Sequence, residues 1–152
     1  MIRLIDGSSA IAAARNFVQL VLEGMPPANE ALSCALDQLV SAYHKTPRGK
    51  PADTDLTGRS GDSSTLYEAL AVRFPDYRFY PVADPRAGAE AKSMMGDALE
   101  DIRDVTLDMW EVIWRAEHLG LDDAHWHFYL LFSDWGRHMR ELSLYLHARQ
   151  FG

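Results

Sequence analysis

The sequence predicts an all-α protein: one domain over residues 1–152, a bundle of about five helices with a long antiparallel C-terminal helix hairpin and one extended aromatic- and proline-rich segment. Three observations carry this reading. Apolar residues recur at three- and four-residue steps through most of the chain, the spacing of a buried helix stripe. Gly and Pro fall mostly between those stretches. Only around 75–85 do prolines come too densely for helix. A chain of 152 residues, 47% hydrophobic, can bury one core without a disulfide or a metal to staple it.

Ser8 or Ser9 is placed to cap a first helix, whose buried stripe is Ile11, Ala14, Phe17, Val18, Val21 and Leu22. Gly24 and Pro26-Pro27 end it. A second helix starts near Pro27 to Asn29, carries Leu32, Ala35, Leu36, Leu39, Val40 and Tyr43, and stops before Pro47. The short connection makes these two an antiparallel hairpin. Residues 46–64, rich in Gly, Pro, Ser and Asp, read as a mobile loop. Thr65 with Glu68 forms a capping-box pattern for a short third helix that Pro75 closes. "PDYRFYPVADP" follows, extended across the bundle or forming one short strand at most. The fourth helix is expected from about Met94 to Leu119, with Ala98, Ile102, Val105, Met109, Val112, Ile113 and Ala116 inward. Gly120 ends it. A fifth, capped by Asp122 and stapled by Leu121 and Trp126, runs unbroken to the C-terminus through Phe128, Leu131, Phe132, Trp135, Met139, Leu142 and Leu146.

A formal charge of −7, with no local Lys/Arg block, excludes nucleic acid and anionic membrane surfaces as natural partners. No run of about 18 apolar residues suggests a membrane span, and the N-terminus lacks the pattern of a secretory signal. The lone cysteine, Cys34, cannot form an internal disulfide and by spacing belongs to an inert apolar face, which fits a reducing compartment.

Chemistry has few places to reside. Asp97, Asp101, Asp104 and Asp108 form an acidic stripe on the fourth helix, and Asp101, Asp104 and Asp108 are the carboxylates that would hold Mg²⁺ or Mn²⁺. On the fifth, His127, Asp134, His138 and Glu141 share a face, making His127, Asp134 and His138 a second candidate metal set. The ion-pair reading competes with both. A tight hairpin about Gly120 brings Arg137 near Asp104 and Arg140 near Asp101, an interhelical ladder. Gly136, inside that helix, falls opposite Val105, where a missing side chain would allow close approach. No nucleophile elbow, phosphate loop or dinucleotide pattern appears, and no cofactor is predicted.

Three stretches, "PDYRFYPVADP", "MGDALEDIRDVTLDMWEVIW" and "HWHFYLLFSDWGRHMRELSLYLH", resemble the bacterial family of unknown function designated DUF5063. The likeness rests on Tyr77 to Pro85, on Gly96, Asp97, Leu99, Asp101 and Ile102, and on Trp126, Leu130, Trp135, Gly136 and His138. Asp134 stands where the family pattern has His, and Leu130 where it has an aromatic residue. The resemblance implies a helical fold and a bacterial cytoplasmic setting, and it adds no catalytic residue.

These readings together predict a cytoplasmic interaction module without catalytic activity that binds a protein or itself. Its surface would be built from Tyr77, Phe79, Tyr80, Trp135, Arg137, His138 and Arg140, since aromatics and Arg dominate interfaces. The alternative is a Mg/Mn-dependent hydrolase of a phosphorylated small molecule acting through the acidic stripe, with Arg137 or Arg140 gripping phosphate.

Overall fold

The computed structural model describes residues 7–56, 58 and 61–152. Among the described residues six α-helices, α1 (Ser9–Leu22), α2 (Asn29–Lys45), α3 (Ser63–Arg73), α4 (Ala98–His118), α5 (Leu121–Leu130) and α6 (Phe132–Phe151), surround one core. A two-stranded antiparallel ribbon, β1 (Phe79–Val82) and β2 (Met94–Asp97), precedes α4, with a 3-10 turn, Pro85–Glu90, between its strands. The protein is therefore mostly helical with a small sheet, and it has more helices than the about five expected from breaker spacing.

The central element is α4, which packs on α1, α3, α5 and α6, while α2 leans on α1 and α6. Its inward stripe is the expected one. Ile102, Val105, Met109 and Val112 are wholly buried against Phe17, Leu36, Phe128, Trp135 and Leu142. Each such side chain contributes about 1.5–3 kcal/mol on leaving water, so a stripe about three turns long fixes the helix in place. No described helix is long and apolar enough to cross a membrane.

Several boundaries differ from expectation for local reasons. Met94–Asp97 pairs with Phe79–Val82 instead of opening α4, with Phe79 opposite Asp97 and Tyr80 opposite Gly96. Asp97 is left as the cap, accepting the Leu99 amide at 3.0 Å. At α1 the capping serine is Ser8. The α3 cap is Asp62, accepting from the amides of Ser64 and Thr65, rather than Thr65. Gly120, at φ +99°, takes the cap position of α5, and Asp122 falls in the first turn, where its charge suits the helix dipole.

The C-terminal helix breaks at Leu131. There the Phe128 carbonyl accepts the Trp135 indole N–H at 3.1 Å, which ties the first turn of α6 back to the end of α5. Gly136 follows, and a Cβ there would sit 2.6 Å from the Phe132 ring. The glycine therefore makes room for Phe132 to lie across its own helix and stack on Tyr43, ring centres 3.7 Å apart.

The segment expected to be mobile is tied down along part of its length. Lys50 donates its amide to the Asp122 carbonyl and Ala52 to the Asp123 carboxylate. Gly49, at φ +69°, lies where a Cβ would be 2.2 Å from the Asp122 carbonyl oxygen. Residues 57, 59 and 60 of that loop fall outside the described residues. Cys34 is exposed on α2 rather than buried.

Candidate functional site

The acidic stripe of α4 and the polar face of α6 do meet, but through a different residue from the one expected. His138 is 5% exposed and stands between two aspartates of α4. Its Nδ1 is 2.7 Å from Asp101 Oδ1, and its Nε2 is 3.0 Å from Asp104 Oδ2. Asp101 is itself buried, and the Tyr80 hydroxyl donates to its other oxygen. Asp104 receives Arg103 Nε at 2.8 Å. One turn to either side of His138 on α6 lie Asp134, whose carboxylate is 3.5 Å from Nε2, and Glu141.

Neither arginine reaches across. Arg137 is half exposed and stays on its own helix, 3.5 Å from Glu141 and 4.0 Å from Asp134, with one guanidinium nitrogen 3.2 Å from His138 Nε2. Arg140 is exposed and hangs over the Phe132 ring. The predicted ladder of Arg137 with Asp104 and Arg140 with Asp101 is thus replaced by one histidine serving both aspartates. The expected register was off by one residue at Asp104 and by two at Asp101, and one residue turns a helix by about 100° and exchanges Arg for His.

The electrostatics follow from this crowding. Burial on its own would lower the His138 pKa, but hydrogen bonds to Asp101 and Asp104 overcome it and raise the pKa to about 10. Burial would likewise raise Asp104, yet its bonds to His138 and Arg103 hold it below the usual carboxylate range. Asp108 has no such partner. Burial and the adjacent Asp134 and Asp104 push it up to about 8, and its Oδ2, wholly out of solvent, lacks a hydrogen-bond partner among the described residues. Burial and the bond to Asp101 push the Tyr80 hydroxyl upward, and the bond to Asp97, at 2.6 Å, raises Tyr67 to about 12.

The two metal sets predicted within single helices do not assemble. Among the described residues, the donors that gather within 4.8 Å of one another are Asp101, His138 and Glu141, one from α4 and two from α6. Asp104 is turned to the far nitrogen of His138 and to Arg103, and Asp108 lies two turns from Asp101. His127 belongs to another cluster, where Asp123 of α5, 2% exposed, accepts Arg115 at 3.1 Å and the Ala52 amide at 2.8 Å. Glu111 also holds Arg115, and His127 lies 3.4 Å from Asp123. A cavity of about 380 Å³, bordered by Asp108, Glu111 and His127, separates the two clusters.

The expected aromatic surface is divided. Trp135 is wholly buried and Tyr77 nearly so, because each fills a gap between packed helices, and with His138 they are unavailable to a partner. Tyr77 packs on Phe74 and Tyr145 beneath the Arg149 guanidinium, and so anchors the ribbon. Phe79 remains on the surface at 58% exposure, and Met94 and Met95 join it at 68% and 73%. Alternation along the strands puts Phe79, Pro81 and Met95 on the outward face, while Tyr80 turns inward to Asp101 and Tyr145. The ribbon borders a shallow groove of about 370 Å³ lined by Phe79, Tyr80, Pro81, Ser93, Met94 and Met95.

Neither family models nor curated proteins match the chain. Among solved structures, the crystal structure of protein BF1032 from Bacteroides fragilis superposes with a TM-score of 0.72 over 95% of this chain and 91% of that one, at 15% identity. At that identity the likeness establishes a shared fold and nothing about chemistry.

Proposed function

We propose that the protein is an interaction module that docks a partner protein on the outward face of the β1–β2 ribbon. The observation that supports this reading is the exposure of Phe79, Pro81 and Met95 together on the outward face of a ribbon that Tyr77 and Tyr80 fix to the body. Contiguous apolar surface of this kind is uncommon on a monomer unless it is used, and aromatic and Met side chains are what interfaces enrich. Both ribbon edges carry backbone groups that a partner strand can pair. Arg78 immediately precedes β1 and Lys92 lies two residues before β2, basic positions flanking the ribbon strands on a chain of net charge −7. Membership of DUF5063 and a cytoplasmic setting, both read from the sequence, belong to the same proposal.

A photo-crosslinking residue in place of Phe79, compared with one in place of Val72, tests this reading. Val72 is 80% exposed on α3, an element outside the ribbon. A discrete adduct from position 79, absent from position 72 and lost in Met95→Glu, is the expected result. Equal labelling at both positions, or none, in the native cell would sink the proposal.

The hydrolase alternative, with Asp101, Asp104 and Asp108 on one ion, has less support, because those three carboxylates face different partners.

A further inference from the structure

We infer that Asp101, His138 and Glu141 form a binding site for one divalent first-row transition cation, such as Zn²⁺ or Mn²⁺, in preference to Mg²⁺. Their donor atoms lie within 4.8 Å of one another, and two of the three side chains are buried. One imidazole with two carboxylates is a donor set for borderline cations, whereas Mg²⁺ prefers oxygen alone. This inference is independent of the ribbon and its partner.

The surroundings are arranged as around a ligating histidine. Asp104 faces Nε2 at 3.0 Å, so it can hold the proton on that nitrogen and leave Nδ1 directed at Asp101. A carboxylate on the far nitrogen of a histidine fixes its tautomer and raises its basicity toward a metal. Tyr80 does the same for Asp101 by donating to the oxygen that does not face His138. Ligand atoms at about 2.0–2.2 Å from a tetrahedral ion stand roughly 3.3 Å apart, so the 2.7 Å Nδ1–Oδ1 contact needs to open only by about half an ångström. Glu141, half-buried, then closes the third side.

One further observation points to missing positive charge. Asp101, Asp104, Asp134 and Glu141 crowd one face, while Arg103, Arg137 and His138 supply the nearby cations. The nearest competitor for the site is Arg137, 3.5 Å from Glu141. Being exposed, its side chain can swing aside toward Asp134.

Titration of the full chain with Co²⁺, followed by its visible absorption and then by displacement with Zn²⁺, tests the assignment. The expected result is one equivalent bound, with Glu141→Gln weakening binding about tenfold or more and His138→Gln abolishing it. Arg137→Ala, which removes the competing cation, should tighten binding several-fold, while Glu30→Gln on α2 should leave it unchanged. Excess Mg²⁺ should not displace Co²⁺. No absorption band with wild-type protein, equal displacement by Mg²⁺, or unaltered binding in Glu141→Gln would overturn the inference. Glu141 is half-buried, so that variant remains decisive should His138→Gln fail to fold.

Discussion

Asp101, in the first turn of α4, and Asp123, in the first turn of α5 beside the C-terminal end of α4, are each within a few per cent of full burial and each beside a cation, yet the cation differs. Asp123 is held by Arg115, which carries its charge at every accessible pH, and by the amide of Ala52. Asp101 is held by His138 and by a tyrosine hydroxyl, groups whose protons can be removed or replaced. Removing a carboxylate from water costs several kcal/mol, so both ends need compensation. A permanent guanidinium provides a fixed joint. A protonated imidazole provides an adjustable one, which is why the candidate cation site is at the His138 end.

The largest expected effect is at the fixed joint. Asp123→Ala leaves Arg115 half-paired against Glu111 and frees the Ala52 amide, and breaking a buried pair in this way costs about 3–5 kcal/mol. Urea unfolding should show that loss. Limited proteolysis should also cut the 49–56 strap faster than in wild type. A variant with unchanged midpoint and unchanged cleavage would mean that the two ends of α4 are not comparable.

Second is the pH response of the adjustable joint. The folded-state pKa of His138, about 10, lies above the ordinary 6.5, so its contribution to stability is fully present below pH 6.5 and is lost as pH rises through about 10. Urea midpoints in chelator-treated buffer should fall across that window by an amount worth on the order of a few kcal/mol. In His138→Gln the part of that decline lying above the Asp108 pKa of about 8 should be nearly absent. If both proteins decline alike, the histidine is not the compensating cation.

How much of this was legible beforehand varied with the range of the interaction. The stripes of α1, α2, α4 and α6 could be read because periodicity sums over many residues, and Phe17, Leu36, Ile102 and Leu142 are where it puts them. The start of α4 could not, because Met94–Asp97 becomes a strand only when Phe79–Val82, more than ten residues earlier, lies beside it. The break at Leu131 depends on one indole reaching back to Phe128, a bond with no periodic signature. The candidate site was half legible. Its residue types and helices were evident, but the Asp101–His138 contact depends on helix rotation, which a hairpin length does not set to the residue. Arg115, Glu111 and Asp123 escaped notice because nothing in their spacing separates them from an ordinary charged surface.

Asp108 gives a smaller effect of opposite sign. Its folded pKa of about 8 exceeds the ordinary 3.8, so the folded state favours its proton and loses stability as pH rises from about 4 to 8. Asp108→Asn removes that burden and should raise stability at pH 8 by about 1–2 kcal/mol while changing little at pH 4. Destabilisation at pH 8 would show that the buried carboxylate is compensated by a bound cation or by a water bridge, and repeating the melt with and without Zn²⁺ separates those cases.

The smallest effect discriminates most sharply between the ion-pair ladder and the histidine joint. Were Arg140 the partner of Asp101, Arg140→Ala would strand a buried carboxylate and cost several kcal/mol. The guanidinium instead lies over the Phe132 ring, 5.9 Å from its centre and open to solvent, where a cation–π contact is worth about 0.5–1 kcal/mol at most. Arg140→Ala should therefore shift the urea midpoint by less than about 0.5–1 kcal/mol and leave the pH profile of the wild type intact. Its near-silence, set beside the decline that His138→Gln removes, assigns the charge of α4 to one residue of α6 and leaves Arg140 free at the surface.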